Sequence, residues 1–225
     1  MCKFIKKIKQ FLLDLILPIE CLGCQKEGEY FCINCQKKLK INTEMESNKL
    51  SADLICPSLE KVFIAGNYED PLLKNLITNY KYHFLSPLSI PLGKFLVEFW
   101  KQFKILPDFN SSTLIISIPL SKQRYRWRGF NQAELLANLL AEEFNYLPCL
   151  NLKRKKHRQP QVELNEKKRL ENVRQAFSWQ GPNLSGKTII LIDDVTTTGA
   201  TLEAAAEALE KAGPQKIYGL VLAKG

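Results

Sequence analysis

The sequence lacks a hydrophobic segment long enough to span a membrane. Its most apolar stretch near the start, residues 11–19, is short and is interrupted by Asp14 and Pro18. Because no small-residue cleavage site follows this stretch, we expect no secretory signal and therefore a cytoplasmic protein.

Apolar residues recur at helical spacing across residues 4–15 with lysines between them, which predicts an amphipathic helix. We expect this helix to dock onto the rest of the protein, and peripheral membrane contact is the alternative.

Two common nucleotide-binding signatures are also missing. The sequence contains neither G-x-x-x-x-G-K-[ST] nor G-x-G-x-x-G, so neither a P-loop nor a dinucleotide-binding turn is indicated. Positive charge is abundant instead, since the formal net charge of the 225 residues is +9, which favours anionic partners. The surplus is concentrated in residues 121–174, which hold 13 Lys and Arg against 6 Asp and Glu.

The most informative stretch is residues 187–201, KTIILIDDVTTTGAT. Its apolar, β-branched part at residues 188–192 predicts a strand that is buried on both faces of a parallel sheet. Asp193 and Asp194 follow where that strand is expected to end, and a helical pattern begins after residue 201. Ligands of α/β folds bind at the carboxyl ends of parallel strands, so this strand-to-helix turn is a candidate binding site.

The residue types in this turn indicate a phosphorylated sugar as the ligand. A helix N-terminus offers free amides to a phosphate, and nearby hydroxyl groups and a glycine assist its approach. The residues concerned are Thr197, Thr198, Gly199, Ala200 and Thr201. The paired aspartates suit a diol or Mg²⁺, and phosphoribosyl pyrophosphate combines a phosphate, a diol and a metal-binding pyrophosphate. The alternative is that the aspartates cap a helix and that the threonines form a plain loop.

The same stretch resembles the phosphoribosyl-pyrophosphate loop of the type I phosphoribosyltransferases. By that resemblance Asp193 and Asp194 face the ribose hydroxyls, and residues 197–201 hold the 5′-phosphate. Further strands are predicted at residues 62–68, 113–118 and 216–224, with helices between them. This order predicts an α/β fold of the type I phosphoribosyltransferase kind, with a mostly parallel sheet covered by helices on both faces.

Four of the seven cysteines are regularly spaced, as Cys21-x2-Cys24 and Cys32-x2-Cys35. The two C-x2-C pairs together supply the four thiolates that tetrahedral Zn²⁺ prefers. Disulfides are the alternative, but a reducing compartment favours zinc. Four thiolates leave no open position for a substrate, so we predict a structural zinc module in residues 1–50. The polar, aperiodic residues 40–60 then predict a linker to a phosphoribosyltransferase-like domain that occupies residues 51–225.

A basic block follows the strand predicted at residues 113–118. Lys122, Arg124, Arg126 and Arg128 place four cations within seven residues, and they repel one another unless an anion joins them. In the transferase fold the loop at this place meets the pyrophosphate, which implies that these cations bind it. A solvated basic loop is the alternative. The next helix is expected to start with a capping box formed by residues 131 and 134.

Four features in this order resemble the ComF family, amidophosphoribosyltransferase-like proteins linked to DNA uptake in bacterial competence. They are the cysteine module, the sequence Arg-Gly-Phe-Asn-Gln at residues 128–132, a basic stretch and the phosphoribosyl loop. In that family a lysine and an aromatic residue close an early helix, as Lys81 and Tyr82 do here. A basic residue and a glycine usually follow, where this chain has His83 and Phe84.

The basic stretch at residues 152–177 resembles the mobile lid of type I phosphoribosyltransferases. Such a lid excludes water from the activated ribose. Arg158 stands where the family usually has threonine, and a solvated hairpin is the alternative interpretation. Four residues match the family pattern: Gln161, Arg169, Asn172 and Phe177.

Three classes of function remain open. An enzyme would transfer the phosphoribosyl group to an unidentified acceptor with Mg²⁺, with Asp193, Asp194 and Arg128 as catalytic residues and Arg124 as a binding residue; no general base is evident. A competence factor would bind single-stranded DNA through residues 124–128 and 153–158, with Tyr125 and Trp127 stacking on bases, and would work with DNA-uptake or recombination proteins. A sensor would bind phosphoribosyl pyrophosphate without turnover and signal to a protein partner.

Overall fold

A computed structural model describes residues 18–103, 109–155 and 176–225. The helix predicted at residues 4–15 lies outside these residues, as do residues 156–175 of the predicted lid, among them Arg158, Gln161, Arg169 and Asn172. Within the described ranges, no helix has both the length and the hydropathy needed to cross a membrane. The chain divides into two compact units, Met1–Leu39 and Lys40–Gly225.

The described part of the first unit contains little regular structure. An isolated bridge joins Glu20 to Glu27, and α1 is a single helical turn, Ile33–Gln36. Its buried side chains are those of Phe31 and three cysteines. A module of this size with so few buried apolar side chains is rarely stable without a disulfide, a bound metal ion or a similar cross-link.

The second unit holds the remaining helices and strands of the described chain. In chain order they are α2 Glu44–Ser51, β1 Lys61–Asn67, α3 Pro71–Tyr82, a short 3-10 helix Ser86–Leu88, α4 Ser89–Trp100, β2 Leu114–Ser117, α5 Lys122–Arg128, α6 Gln132–Phe144, β3 Leu147–Cys149, β4 Leu152–Arg154, β5 Phe177–Trp179, β6 Thr188–Thr196, α7 Ala200–Glu210 and β7 Lys216–Lys224.

Five parallel strands form the central sheet, in the order β1-β7-β6-β2-β3. β4 and β5 form a separate antiparallel pair. The central strands β6 and β7 are buried along most of their length, which is typical of parallel strands that are covered on both faces. The sheet confirms the predicted α/β fold of the phosphoribosyltransferase kind.

Alternate side chains of β1 show how the two faces of the sheet are filled. Val62 and Ile64 belong to an apolar cluster that includes the buried side of α7. Phe63 points to the other face, where its ring packs against Trp100 of α4 and Tyr218 of β7. Because successive side chains of a strand point to opposite faces, β1 contributes aliphatic residues to one face of the sheet and an aromatic residue to the other.

Residues 40–60 contain a helix, so the prediction of an aperiodic linker is wrong. α2 begins with a capping box, in which Thr43 Oγ1 accepts a hydrogen bond from Glu46 N and the Glu46 carboxylate accepts one from Thr43 N. Ser47 Oγ accepts a hydrogen bond from Ile64 N at 2.9 Å, which ties α2 to β1. The helix belongs to the second unit, whose boundary therefore precedes α2 instead of following it.

Two further local predictions are wrong. Residues 122–128 form the helix α5, which Ser121 caps and which Gly129 ends in a left-handed conformation with a φ of 79°; they do not form a loop. Asn131 precedes α6, but its side chain makes no cap there. Its Nδ2 donates instead to Ile118 O at 3.1 Å, so the amide secures the end of β2.

Candidate functional site

The strand β6 continues beyond the end of β2, and the two aspartates lie in this extension. The last pair between the two strands joins Ser117 to Ile192, whereas β6 runs on to Thr196 and pairs there with β7. Asp193 and Asp194 therefore lie inside the strand, not after it as the sequence predicted. The extension leaves one strand edge facing the space beyond the end of β2.

Both aspartates line a cavity of about 420 Å³ in this space. Asp194 is buried, and its Oδ1 accepts a hydrogen bond from Val195 N at 2.7 Å. Asp193 Oδ1 accepts one from Asp194 N at 2.8 Å. Burial, together with the neighbouring carboxylate of Asp194, raises the pKa of Asp193 to about 7. A cation bound beside this carboxylate would reverse the shift.

Lys81 forms an ion pair with Asp194. It lies in the last turn of α3, and its Nζ is 2.8 Å from Asp194 Oδ1. The side-chain exposures are 16% for the lysine and 9% for the aspartate, so the pair is largely shielded from solvent. A shielded charge without its partner is costly, and the ion pair therefore fixes the orientation of Asp194.

The bend after β6 has backbone amides that make no hydrogen bond within the described chain. Gly199 adopts a left-handed φ of 84° and is the N-cap of α7, and a Cβ at this position would collide with Cys56 Sγ. Thr198 Oγ1 accepts a hydrogen bond from Ala200 N at 3.4 Å. Within the described chain, the amides of Thr197, Thr198 and Gly199 donate to no other residue. They are therefore free to bind an anion.

Arginines form the basic side of the cavity. Arg124 and Arg128, both predicted, line it together with Arg154 of β4. Burial and the charge of Arg124 lower the pKa of Arg154, whereas the charge of Asp193 raises it. Lys122 and Arg126 lie elsewhere and line an adjacent groove. The predicted basic block is thus divided between two neighbouring spaces.

Two polar atoms in the cavity wall are shielded from solvent and lack a partner in the part of the chain described. They are Arg128 Nε and Asn131 Oδ1. The other groups of these side chains are used, since Arg128 Nη1 donates to Gln132 Oε1 at 3.1 Å and Asn131 Nδ2 donates to Ile118 O. Buried polar groups are normally paired, so these two atoms are exceptions in the wall of the cavity.

Sequence reasoning missed the contribution of two residues at this site. It described Lys81 only as the end of a helix and Arg154 only as part of a basic run. The contact between Lys81 and Asp194 joins residues far apart in the chain, and no local pattern encodes it. For Arg154 the only available signal was the positive charge of residues 153–158.

The four regularly spaced cysteines meet in the first unit. The Sγ atoms of Cys21, Cys24, Cys32 and Cys35 all lie within 4.8 Å of one another, and those of Cys24 and Cys32 are 3.6 Å apart. All four are free thiols, without a disulfide. Four sulfurs at about 2.3 Å from a tetrahedral Zn²⁺ would be about 3.8 Å apart, so this cluster fits a zinc ion.

Without a metal, the environment of the cluster favours the thiolate at one cysteine and the thiol at another. Burial raises the pKa of Cys21, but hydrogen bonds from the amides of Cys32, Gly23 and Cys24 outweigh it and lower that pKa to about 6. Cys35 shows the opposite behaviour, because burial and hydrogen bonds with the other sulfurs raise its pKa to about 12. A divalent cation at the centre would favour the thiolate at all four positions.

Comparisons with known proteins agree with this fold. Residues 130–225 match the phosphoribosyl transferase domain family. The chain is 32% identical over 203 residues to Competence protein F of Haemophilus influenzae, with 88% of this chain and 86% of the relative covered. It is 31% identical over 205 residues to Competence protein ComFC of Bacillus subtilis (84% and 81% covered) and 30% identical over 194 residues to Competence protein ComFC of Streptococcus pneumoniae (86% and 80% covered).

Proposed function

The chain belongs to the competence protein F/ComFC family, and we propose that its second unit binds phosphoribosyl pyrophosphate together with Mg²⁺. One observation carries the proposal. The acidic pair, three arginines and Thr201 at the start of α7 line the same cavity, and the unpaired amides of the bend lie directly before that helix.

Each part of the ligand has a matching group in this arrangement. The amides of residues 197–199 and the hydroxyls beside them would bind the 5′-phosphate. Asp193 and Asp194 would accept hydrogen bonds from the ribose hydroxyls, with Lys81 holding Asp194 in place. Arg124 and Arg128 would bind the pyrophosphate through charge-assisted hydrogen bonds.

The donor set also suits Mg²⁺. Asp193 and Asp194 present carboxylates to the same cavity, and carboxylate oxygens are ligands that Mg²⁺ prefers. Burial raises the pKa of Asp193, and a bound cation would favour its ionised form. Bound with the ligand, Mg²⁺ would neutralise charge on the pyrophosphate. The arginines of this chain would share that task.

The chemistry that such a site supports is transfer of the phosphoribosyl group. A bond forms between a nucleophilic atom of the acceptor and the anomeric carbon, and the bond from that carbon to the pyrophosphate oxygen breaks. The pyrophosphate leaves with the bonding electrons, and the proton of the acceptor passes to water. Arg124 and Arg128 would stabilise the charge that grows on the leaving group.

Calorimetric titration of the full chain with phosphoribosyl pyrophosphate tests the proposal. We expect saturable binding with Mg²⁺ and an affinity at least about tenfold lower with a chelator, which corresponds to about 1.4 kcal/mol. Ribose 5-phosphate, which lacks the pyrophosphate, should bind more weakly and without a dependence on Mg²⁺. Absence of heat from a folded protein, or equal binding with and without Mg²⁺, contradicts the proposal.

A second candidate function is supported by the groove next to the cavity. The groove has a volume of about 710 Å³, and its charged lining residues are all basic: Lys122, Arg124, Arg126, Arg154 and Lys155. Such a groove suits the phosphate backbone of single-stranded DNA, and α5, which supplies three of these residues, also carries the exposed aromatic residues Tyr125 and Trp127. This function would accord with the competence names of the relatives.

The DNA-binding candidate predicts a steep dependence on salt. Affinity for a single-stranded oligonucleotide should fall linearly on a log–log plot, with a slope of about −0.7 for each phosphate contacted. Replacing Lys122 and Arg126 with alanine should make the slope shallower by about 1.4 and leave the binding of phosphoribosyl pyrophosphate intact. The control variant replaces Lys49 and Lys94, which are also exposed and do not line the groove. A flat salt response, or equal loss in both variants, argues against this function.

A further inference from the structure

A short segment between α2 and β1 packs against the bend that precedes α7. Residues 53–58, which we call the 53–58 segment, belong to no helix or strand. Leu54 and Cys56 in this segment pack against the apolar cluster that includes the buried side of α7. Asp53 forms an ion pair with Lys224 of β7 at 3.0 Å. The segment is therefore joined both to the sheet and to the helix that follows the bend.

The segment makes direct contact with the bend at Gly199, the N-cap of α7. A Cβ added to Gly199 would collide with Cys56 Sγ and would lie 3.5 Å from Leu54 Cβ, so both side chains adjoin the backbone of the bend. Cys56 Sγ also donates a hydrogen bond to Gly199 O at 3.6 Å. Burial, together with the charge of Glu203, raises the pKa of Cys56 to about 11. At neutral pH the sulfur therefore keeps the proton that this bond needs.

A second contact joins the segment to the first turn of α7. Glu203 is 6% exposed, and its two carboxylate oxygens accept a hydrogen bond from Ser58 N at 3.1 and 3.3 Å. A buried carboxylate is costly without such a bond, so this turn is held against the segment. Glu203 N donates in turn to Gly199 O at 2.9 Å, and this oxygen is the one that the Cys56 thiol also contacts.

The bend itself contains little that fixes its conformation. Thr197 and Thr198 are exposed, and Gly199 has a left-handed φ of 84°, which a glycine can leave easily. Amides that converge on one phosphate need an ordered backbone, because ordering it during binding lowers the affinity. The contacts from the 53–58 segment can supply this order before a ligand binds.

The bond between Ser58 and Glu203 also directs a negative charge. Glu203 lies in the first turn of α7, where a carboxylate competes with a phosphate for the positive end of the helix dipole. Both of its oxygens bind the amide of Ser58 instead of the amides of the bend. The amides of residues 197–199 therefore remain available to an anion.

We propose that Cys56 and Glu203 are positioning residues, through which the 53–58 segment holds the bend of residues 197–199 in the conformation that binds a phosphate monoester. Both act through the backbone of the bend, and neither needs to contact the phosphate. Identifying this group as the 5′-phosphate of phosphoribosyl pyrophosphate rests on the function proposed above.

The first test enlarges the side chain that touches the bend. Cys56→Leu adds volume where Cys56 Sγ already adjoins Gly199, so it should displace the bend. Calorimetry on the full chain, at a temperature where every variant is folded, should show an affinity for ribose 5-phosphate that is roughly 5- to 150-fold lower. Cys149→Leu is the matched control, since Cys149 is a half-buried cysteine that packs against the same cluster and does not line the cavity. It should bind ribose 5-phosphate within about twofold of the unmodified chain.

The second test separates the hydrogen bond of Glu203 from its charge. Glu203→Ala leaves Ser58 N without its acceptor and should lower the affinity for ribose 5-phosphate at least about fivefold. Glu203→Gln keeps an acceptor and removes a negative charge near the phosphate, so its affinity should equal or exceed that of the unmodified chain. A role in stability alone predicts a lower unfolding temperature for Glu203→Ala with an unchanged affinity. Equal losses of affinity in both variants would assign the effect to the charge and overturn the positioning role.

Hydrogen exchange reports on the bend without any ligand. The amide of residue 203 donates to Gly199 O, so its exchange should become faster in Cys56→Leu and in Glu203→Ala, while exchange in β7 stays slow. Nuclear magnetic resonance on the full chain measures both rates. Cys149→Leu should leave the exchange of this amide unchanged.

The outcomes distinguish this inference from the proposed function. If ribose 5-phosphate binds and the Cys56 and Glu203 variants bind it as tightly as the control, the positioning role is overturned and the sugar-phosphate site stands. If ribose 5-phosphate does not bind the unmodified chain but exchange is faster in these variants, the proposed function fails and the ordering of the bend by the segment stands. If neither effect is observed, both proposals are overturned.

Discussion

Replacing Asp193 and Asp194 together with asparagine should lower the affinity for phosphoribosyl pyrophosphate with Mg²⁺ by at least about 100-fold. Each carboxylate would offer the ligand charge-assisted hydrogen bonds worth about 1.5–3 kcal/mol, and their joint loss amounts to about 10²–10⁴ in affinity. Any release of pyrophosphate in the presence of an acceptor should be lost as well. Calorimetry and a pyrophosphate-release assay measure these two effects.

The double variant also breaks the ion pair between Asp194 and Lys81, and a third substitution can offset the resulting loss of stability. Asp194→Asn leaves a shielded ammonium group without its carboxylate, which costs up to about 3 kcal/mol of stability. Adding Lys81→Met removes that ammonium group. Asp193→Asn alone keeps the ion pair and removes a carboxylate that burial already disfavours, so its stability should be unchanged or higher.

The control removes two acidic groups outside the cavity. Glu98 and Glu143 are half exposed and both lie near Lys101, so their replacement with glutamine changes the net charge equally and should leave ligand binding intact. If the Asp193 and Asp194 variant folds and still binds phosphoribosyl pyrophosphate as tightly as this control, the acidic pair is not part of the binding site.

The sequence was sufficient to predict four of the five strands of the central sheet, because a buried parallel strand is a continuous apolar run. The run at residues 188–192 and the strand at residues 216–224 are continuous and apolar, and both are central in the sheet. The three-residue strands β3, β4 and β5 were not predicted, since so short a segment shows no period. Their pairing depends on neighbours that are distant in sequence.

Helices without an apolar stripe were also hard to predict. α2 is polar along most of its length, and only its capping box indicated a helix. In α5 four cations suggested a loop, although Ser121 and Gly129 are typical of the two ends of a helix. In both cases the residues at the helix ends indicated a helix, whereas the composition of the segment suggested an irregular conformation.

Around the candidate site, the sequence identified local groups but not the contacts between them. The acidic pair and the threonine-rich bend were visible because they are consecutive in the chain. Lys81, Trp127 and Arg154 come from three other segments, which only the fold brings together. Phe84 is the most instructive case. It replaces the glycine usual in the ComF family, and its φ of 57° gives a physical reason why glycine suits that position.

We predict that the cysteine cluster holds zinc and that removing this zinc unfolds the first unit and leaves the second unit folded. The described part of the first unit has Phe31 and three cysteines as its buried residues, so its stability would depend on the metal. Structural zinc in small peptides binds with about 10–16 kcal/mol, far more than these apolar contacts supply. We expect one zinc per chain by elemental analysis. After chelation, amide hydrogen exchange in residues 18–39 should become fast, while exchange in β6 and β7 stays slow.

Matched cysteine variants separate a zinc site from ordinary thiols. Cys21→Ser with Cys35→Ser removes one sulfur from each C-x2-C pair. This variant should lose both zinc binding and the protection of residues 18–39 from amide hydrogen exchange. Cys56→Ser with Cys149→Ser removes the same number of thiols from the second unit, where Cys56 donates to Gly199 O and Cys149 to Asn151 Oδ1, and should retain the full zinc content. Protection of residues 18–39 that survives complete removal of the metal would mean that the polypeptide alone holds this unit together. Zinc would then have no structural role in it, because a metal stabilises a fold only by binding the folded state more tightly than the unfolded one.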